Sequence, residues 1–137
     1  MSKTNAKRLS YPQIALLVET STSWGRRIIE GILDYSRRNG PWLCMLEPKG
    51  IDEPEVLPSG WRGDGIIARI RTPKFAAQLA KLRVPVINVS GIELPKCSFP
   101  RVLTDEKLIA KMALEHLRAR GFSHFGYSGV NQQNYVV

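Results

Sequence analysis

Within eight residues, Glu19-Thr-Ser-Thr-Ser-Trp-Gly-Arg26 gathers one carboxylate, four hydroxyls, an indole and a guanidinium. The chemistry these groups offer is recognition: planar polar side chains hydrogen-bond the hydroxyls of a polyol, and an aromatic ring lies against its C–H face. A plainer reading uses the same residues structurally, with Ser21 or Ser23 capping the helix that follows and Trp24 only packing. Two residues further along join the set. Arg69 directly follows an apolar run, where it either reaches a bound anion or hydroxyl or turns outward to solvent. Ser90, before Gly91, either contributes a hydroxyl or simply makes a turn. Glu19, Ser23, Trp24, Arg26, Arg69 and Ser90 are therefore the expected ligand-binding face.

Signs of catalysis are weak. The chain has no G-x-G-x-x-G after its first apolar run, no Walker A sequence and no G-x-S-x-G elbow. A receiver domain needs an acidic pair after its first strand and an aspartate closing its third; here Glu19 stands alone and position 69 is Arg. His116, near Met112 and Leu117, reads as a partly buried structural histidine, and His124 has no companion. Cys44 and Cys97 are far apart without companion ligands, so neither a zinc site nor a disulfide framework is expected. The reading is a non-enzyme with no cofactor and no metal. The alternative is a small nucleotide- or phosphate-binding enzyme of flavodoxin-like class, with loop 19–24 cradling phosphate at a helix N-terminus.

These residues need elements to hold them. Ile14–Val18 is a continuous apolar run, as in a strand buried on both faces. Trp24, Ile28, Ile29, Ile32 and Leu33 fall on one helical face, Arg37-Arg38 suit that helix's last turn, and Asn39-Gly-Pro41 stops it. A strand over 42–47 follows, and then a proline-bearing loop, 48–62, with at most a helical turn. A third strand spans 63–69. Thr72-Pro73 starts a helix with Phe75, Ala76, Leu79, Ala80 and Leu82 as its apolar face, and a fourth strand spans 84–90. Arg101–Gly129 reads as a short strand, a Thr104/Asp105 cap, a four-turn helix, a stop at Gly121 and a closing strand over 122–129. This alternation predicts an α/β fold with a doubly wound, mostly parallel sheet. Ligands in such sheets bind at the carboxyl ends of the strands, near a topological switch point. The loops at 19–24, 69–72, 90–94 and 129–134 qualify.

With 137 residues, 43% of them hydrophobic, the chain can bury a core. Its formal charge of +8 would fit a nucleic-acid partner, but the basic residues are scattered, with pairs only at Lys7-Arg8, Arg26-Arg27 and Arg37-Arg38. A solvated surface explains most of them, which disfavours a bare DNA-binding module. No apolar run approaches the roughly 18–20 residues that span a bilayer, and the start lacks a secretory h-region. No membrane partner is expected, and the cytoplasm is the expected compartment. Residues 1–11 read as a disordered basic lead-in.

Read together, Ile14–Gly40, Gly63–Ser90 and Arg101–Gly129 resemble the effector domain of the LacI-type regulators, a periplasmic-binding-protein-like fold. Trp24-Gly-Arg-Arg-Ile-Ile-Glu-Gly-Ile-Leu-Asp-Tyr35 is similar to the first helix of one branch, the xylose-operon regulators, which carry this domain ahead of an AraC-type DNA-binding domain. Gly63–Ala68, Val84–Val89 and the Asp105…Ala113…His116-Leu117…Gly121 spacing resemble its later strands and crossover, and Ile109, where many repressors have Gly, favours the same branch. The resemblance implies the first lobe (12–121) of a type I periplasmic-binding-protein-like sensor, with 122–137 a truncated start of the second lobe. It further implies a small sugar, a pentose such as xylose, held between lobes. DNA contact would run through a domain absent from this chain, in a homodimer of the full-length protein.

Overall fold

The computed structural model describes residues 11–129 of the chain. Of the lead-in expected over 1–11, all but Tyr11 lies outside the described residues, as does the segment after Gly129. Its elements run β1 (Gln13–Leu17), α1 (Ser23–Asn39), β2 (Leu43–Leu46), β3 (Gly65–Ala68), α2 (Pro73–Ala80), β4 (Val86–Asn88) and α3 (Glu106–Arg118). The four strands form one parallel sheet in the order β2-β1-β3-β4. After β2 the chain returns past β1 to lay down β3 on its other side. That reversal makes the β1/β3 junction the switch point, where neighbouring loops diverge and leave a crevice.

The doubly wound pattern is visible in the core. Alternate residues of β1 point to opposite faces. Ala15 and Leu17 join Ile66, Ala68, Phe75, Ala76, Leu79 and Val86 in one cluster, while Leu16 and Val18 join Ile29 and Val89 in another. Because α2 covers the first face and α1 the second, a run of consecutive apolar residues is what β1 requires. Burying a side chain the size of Leu16 contributes about 1.5–3 kcal/mol, and the central strands supply most such residues here. Loop 48–62 forms no helix, as expected. Ala80, placed on the apolar face of α2 by spacing, is exposed, since α2 ends there.

Several caps follow the local chemistry. Thr72 Oγ1 accepts from Phe75 N with Pro73 in the first turn, and Asp105 accepts from Leu108 N at 2.9 Å. Gly40 ends α1 at φ 122°, a conformation that L side chains rarely adopt. The α1 cap differs from expectation. Neither Ser21 nor Ser23 caps α1; Thr22 does, its Oγ1 accepting from Gly25 N at 3.0 Å. Adjacent hydroxyl residues look alike in sequence, and the backbone bend that selects one is set by what the loop packs against.

The carboxyl-terminal stretch also departs from expectation. Arg101 pairs with Asn88 in a single parallel bridge, and every described residue beyond it is exposed. Helix α3 buries none of its residues; His116, read as partly buried, is exposed with Nδ1 2.9 Å from Arg120 Nη1. The closing strand expected over 122–129 does not form. A strand exists only through a neighbour that takes its backbone hydrogen bonds, and no described segment pairs with these residues.

Candidate functional site

The carboxyl ends of β1 and β3 bring three of the expected residues together. Parallel pairing sets Leu17 opposite Ala68, so Arg69, one residue on, lies close to Glu19. The Arg69 guanidinium is ion-paired with the Glu19 carboxylate, their side chains 16% and 7% exposed. The same guanidinium carbon sits 5.1 Å from the Trp24 ring centroid, a cation–π contact. Trp24 in turn is half-buried against the α1-side cluster. Arg69 therefore does not turn outward to solvent. Its guanidinium is held between the Glu19 carboxylate and the Trp24 ring at the carboxyl edge of the sheet.

A close approach of backbones holds this arrangement. A Cβ on Gly25 would lie 1.9 Å from the Glu19 carbonyl oxygen and 3.1 Å from Thr22 Oγ1. The first turn of α1 is thus pressed onto loop 19–22, and only glycine permits it. Arg26 reaches back to donate from Nη1 to the Thr20 carbonyl at 3.0 Å. On the far side, Thr20 N and Ser21 N both donate to the Lys49 carbonyl, while Lys49 N donates to Thr20 Oγ1 at 2.9 Å. With two of its amides committed, the loop is poorly suited to cradling phosphate. The Lys49 ammonium is pushed below its ordinary range by burial, partly offset by Glu55, with Arg71 pushing the same way as burial.

Ser23 is exposed beside this cluster, and no side-chain hydrogen bond involves it among those described. Ser90 lies inside the protein: its Oγ accepts from Ile92 N at 3.2 Å and its N–H donates to Asn88 Oδ1 at 2.8 Å. Its hydroxyl spans the turn at 90–92. Asn88 was not singled out by sequence. Fully buried, its Oδ1 also accepts from Ile70 N, which clamps the ends of β3 and β4 together. Asparagine within an apolar strand is the signal that would have found it, because a buried amide needs partners.

A second arginine–carboxylate pair stands two residues beyond the first. Arg71 Nε bonds Glu55 at 2.9 Å, and its other nitrogens reach the carbonyls of Ile51 and Glu53. One side chain thereby fastens loop 51–55 beside the site. Among the described residues no group of three or more His, Cys, Asp or Glu is placed to hold a metal ion, and no helix is long and apolar enough to cross a membrane.

Known proteins share this arrangement of elements. The family model described as the XylR N-terminal domain matches residues 13–107, a span that contains all six candidate residues. A xylose operon regulatory protein of Haemophilus influenzae is 31% identical over 124 residues, covering 88% of this chain and 32% of the relative. Its namesake in Escherichia coli K12 is 25% identical over 126 residues, 89% of this chain and 32% of the relative. The chain thus spans about a third of the length of the curated relatives it matches. A solved structure titled as that of the xylose-binding transcription activator XylR superposes with a TM-score of 0.62 at 23% identity, over 82% of this chain and 28% of that one. That likeness shows the fold: an α/β lobe of the periplasmic-binding-protein-like kind. With a match over most of its described length, this chain belongs to the XylR N-terminal domain family.

Proposed function

We propose that this chain is the amino-terminal lobe of a sugar-sensing domain in a transcription regulator of the xylose-operon type, and that its ligand is a small neutral sugar, a pentose such as xylose. The observation that carries this is the Glu19–Arg69–Trp24 constellation at the switch point of a parallel sheet. A half-buried indole backed by a guanidinium offers a flat apolar face for C–H groups. The carboxylate and guanidinium edges, with Arg26 beside them, offer directional partners for hydroxyls. Ser23 lies at the rim of this surface, and Ser90 supports it from within. The lobe performs no catalysis on this reading.

On this reading residues 12–121 belong to the first lobe and residue 122 begins a second, against which the exposed apolar side chains of α3 would be covered. Sugar bound between lobes favours one closure over another, and the shift equals its difference in affinity for the two states. A DNA-binding domain elsewhere in the protein, a homodimer and the cytoplasm complete the proposal. Calorimetry of the intact protein with D-xylose, other pentoses and hexoses tests it. Heat of binding that Trp24→Ala and Arg26→Ala weaken is the expected result; no binding to any sugar, or indifference to both substitutions, refutes it.

A further inference from the structure

Three arginines stand at the carboxyl edge of the sheet, and they are not held alike. Arg69 is paired with Glu19 and Arg71 with Glu55, both carboxylates buried. Arg101, half-buried where the chain leaves the sheet, has no carboxylate within ion-pair distance among the described residues. Its guanidinium makes one hydrogen bond, from Nη2 to the Ser90 carbonyl at 3.2 Å. Its Nε is shielded from solvent and has no acceptor among the described residues. A buried donor left unmade is costly, and a charged one more so. The present rotamer is therefore the most weakly held of the three, and turning away from it forfeits only one long hydrogen bond.

The backbone here is held well. Asn88 N donates to the Pro100 carbonyl at 2.9 Å and Val102 N to the Asn88 carbonyl at 3.0 Å. The side chain is thus free to re-aim from a fixed base, at the residue where the exposed segment 102–129 begins. We propose that Arg101 is a further ligand-binding residue: its guanidinium swings from the Ser90 carbonyl to oxygens of a sugar lying over the carboxyl edge of the sheet, and Nε and Nη then both gain acceptors. The assignment rests on the sugar-sensing reading above. It makes Arg101 the link between occupancy and the point where the chain leaves the sheet, because the same swing releases the Ser90 carbonyl two residues past β4.

The Nε–H group of an arginine gives its own proton–nitrogen correlation signal, which reports directly on this step. In the intact protein, the signal lost in Arg101→Lys identifies Arg101. Saturating D-xylose is expected to move that signal and slow its exchange with water. Arg101→Lys and Arg101→Gln are expected to weaken D-xylose binding by about tenfold to a hundredfold, the value of one or two charge-assisted hydrogen bonds, with the thermal midpoint hardly changed. A structural residue would do the reverse, lowering the midpoint and leaving affinity alone; that result overturns the proposal. So does a Trp24 indole signal that shifts on adding sugar while the Arg101 signal stays put, an outcome that leaves the sugar-sensing reading standing. If no pentose or hexose moves any signal, that reading and this assignment fall together.

Discussion

Replacing Arg69 by Met tests the heart of the site, since it removes the guanidinium and keeps most of the aliphatic stem over Trp24. Glu19 would then be left 7% exposed with no cation on its carboxylate. Removing one partner of a buried pair costs about 3–5 kcal/mol. Arg69 is 16% exposed and the pair lies at the sheet edge, so the lower end, about 3 kcal/mol, applies. The lost cation–π contact with Trp24 adds about 0.5–1 kcal/mol. Urea unfolding followed by tryptophan fluorescence and checked by backbone circular dichroism measures the loss. The companion Glu19→Gln/Arg69→Met variant should recover much of it, because the stranded charge is gone. Glu19→Gln alone closes the cycle, with an expected coupling energy of about 2–3 kcal/mol. An Arg69→Met variant within about 0.5 kcal/mol of the parent, the range of ordinary surface changes, would refute the reasoning. Strict additivity of the two single substitutions would refute it equally.

Three further predictions follow from individual contacts. Gly25→Ala drives a methyl group into the Glu19 carbonyl; it should cost at least about 1–3 kcal/mol as an overpacked contact and weaken sugar binding in calorimetry by displacing loop 19–22. Thr22→Ala should cost about 1 kcal/mol as a lost cap in thermal or urea unfolding, whereas Ser23→Ala should be nearly neutral; the opposite ranking would return the cap to Ser23. The Cys44 thiol is pushed above its ordinary range by burial, so its folded form holds its proton longer than the unfolded chain. Stability from this group should be present below about pH 9 and lost as pH rises through the folded value. Iodoacetamide labelling of Cys44, read by peptide mass, should titrate at higher pH in the folded protein than in urea.

Much of the fold was legible because its signals are local. The apolar run at Ile14–Val18, the Thr72-Pro73 start, the Asp105 cap and the Asn39-Gly40 stop each act on neighbours within a turn, and each reappears within a residue or two of its expected place. Where signals were degenerate or needed a distant partner, the reading slipped. Thr22 was passed over among four adjacent hydroxyls. His116 is exposed on α3 although helical spacing placed it with apolar neighbours, since periodicity identifies a face without saying what covers it. The strand over 122–129 failed for the same reason, lacking a neighbour to pair with.

Resemblance pointed to the family; the sequence by itself determined the alternation of strands and helices, the parallel doubly wound class, and a loop at 19–26 rich in hydroxyl, carboxylate and guanidinium groups. Those conclusions rest on periodicity, capping and motif spacing, which neighbouring residues suffice to define. Only the tertiary structure decided which groups act together. Glu19 and Arg69 are fifty residues apart and meet because β1 and β3 pair in one register. Trp24 receives Arg69 because Gly25 lets α1 press against loop 19–22. Asn88 and Arg101 acquire meaning only where the ends of β3, β4 and the exit segment converge. A pairing energy depends on distance and shielding from water, and neither quantity exists until the chain has folded.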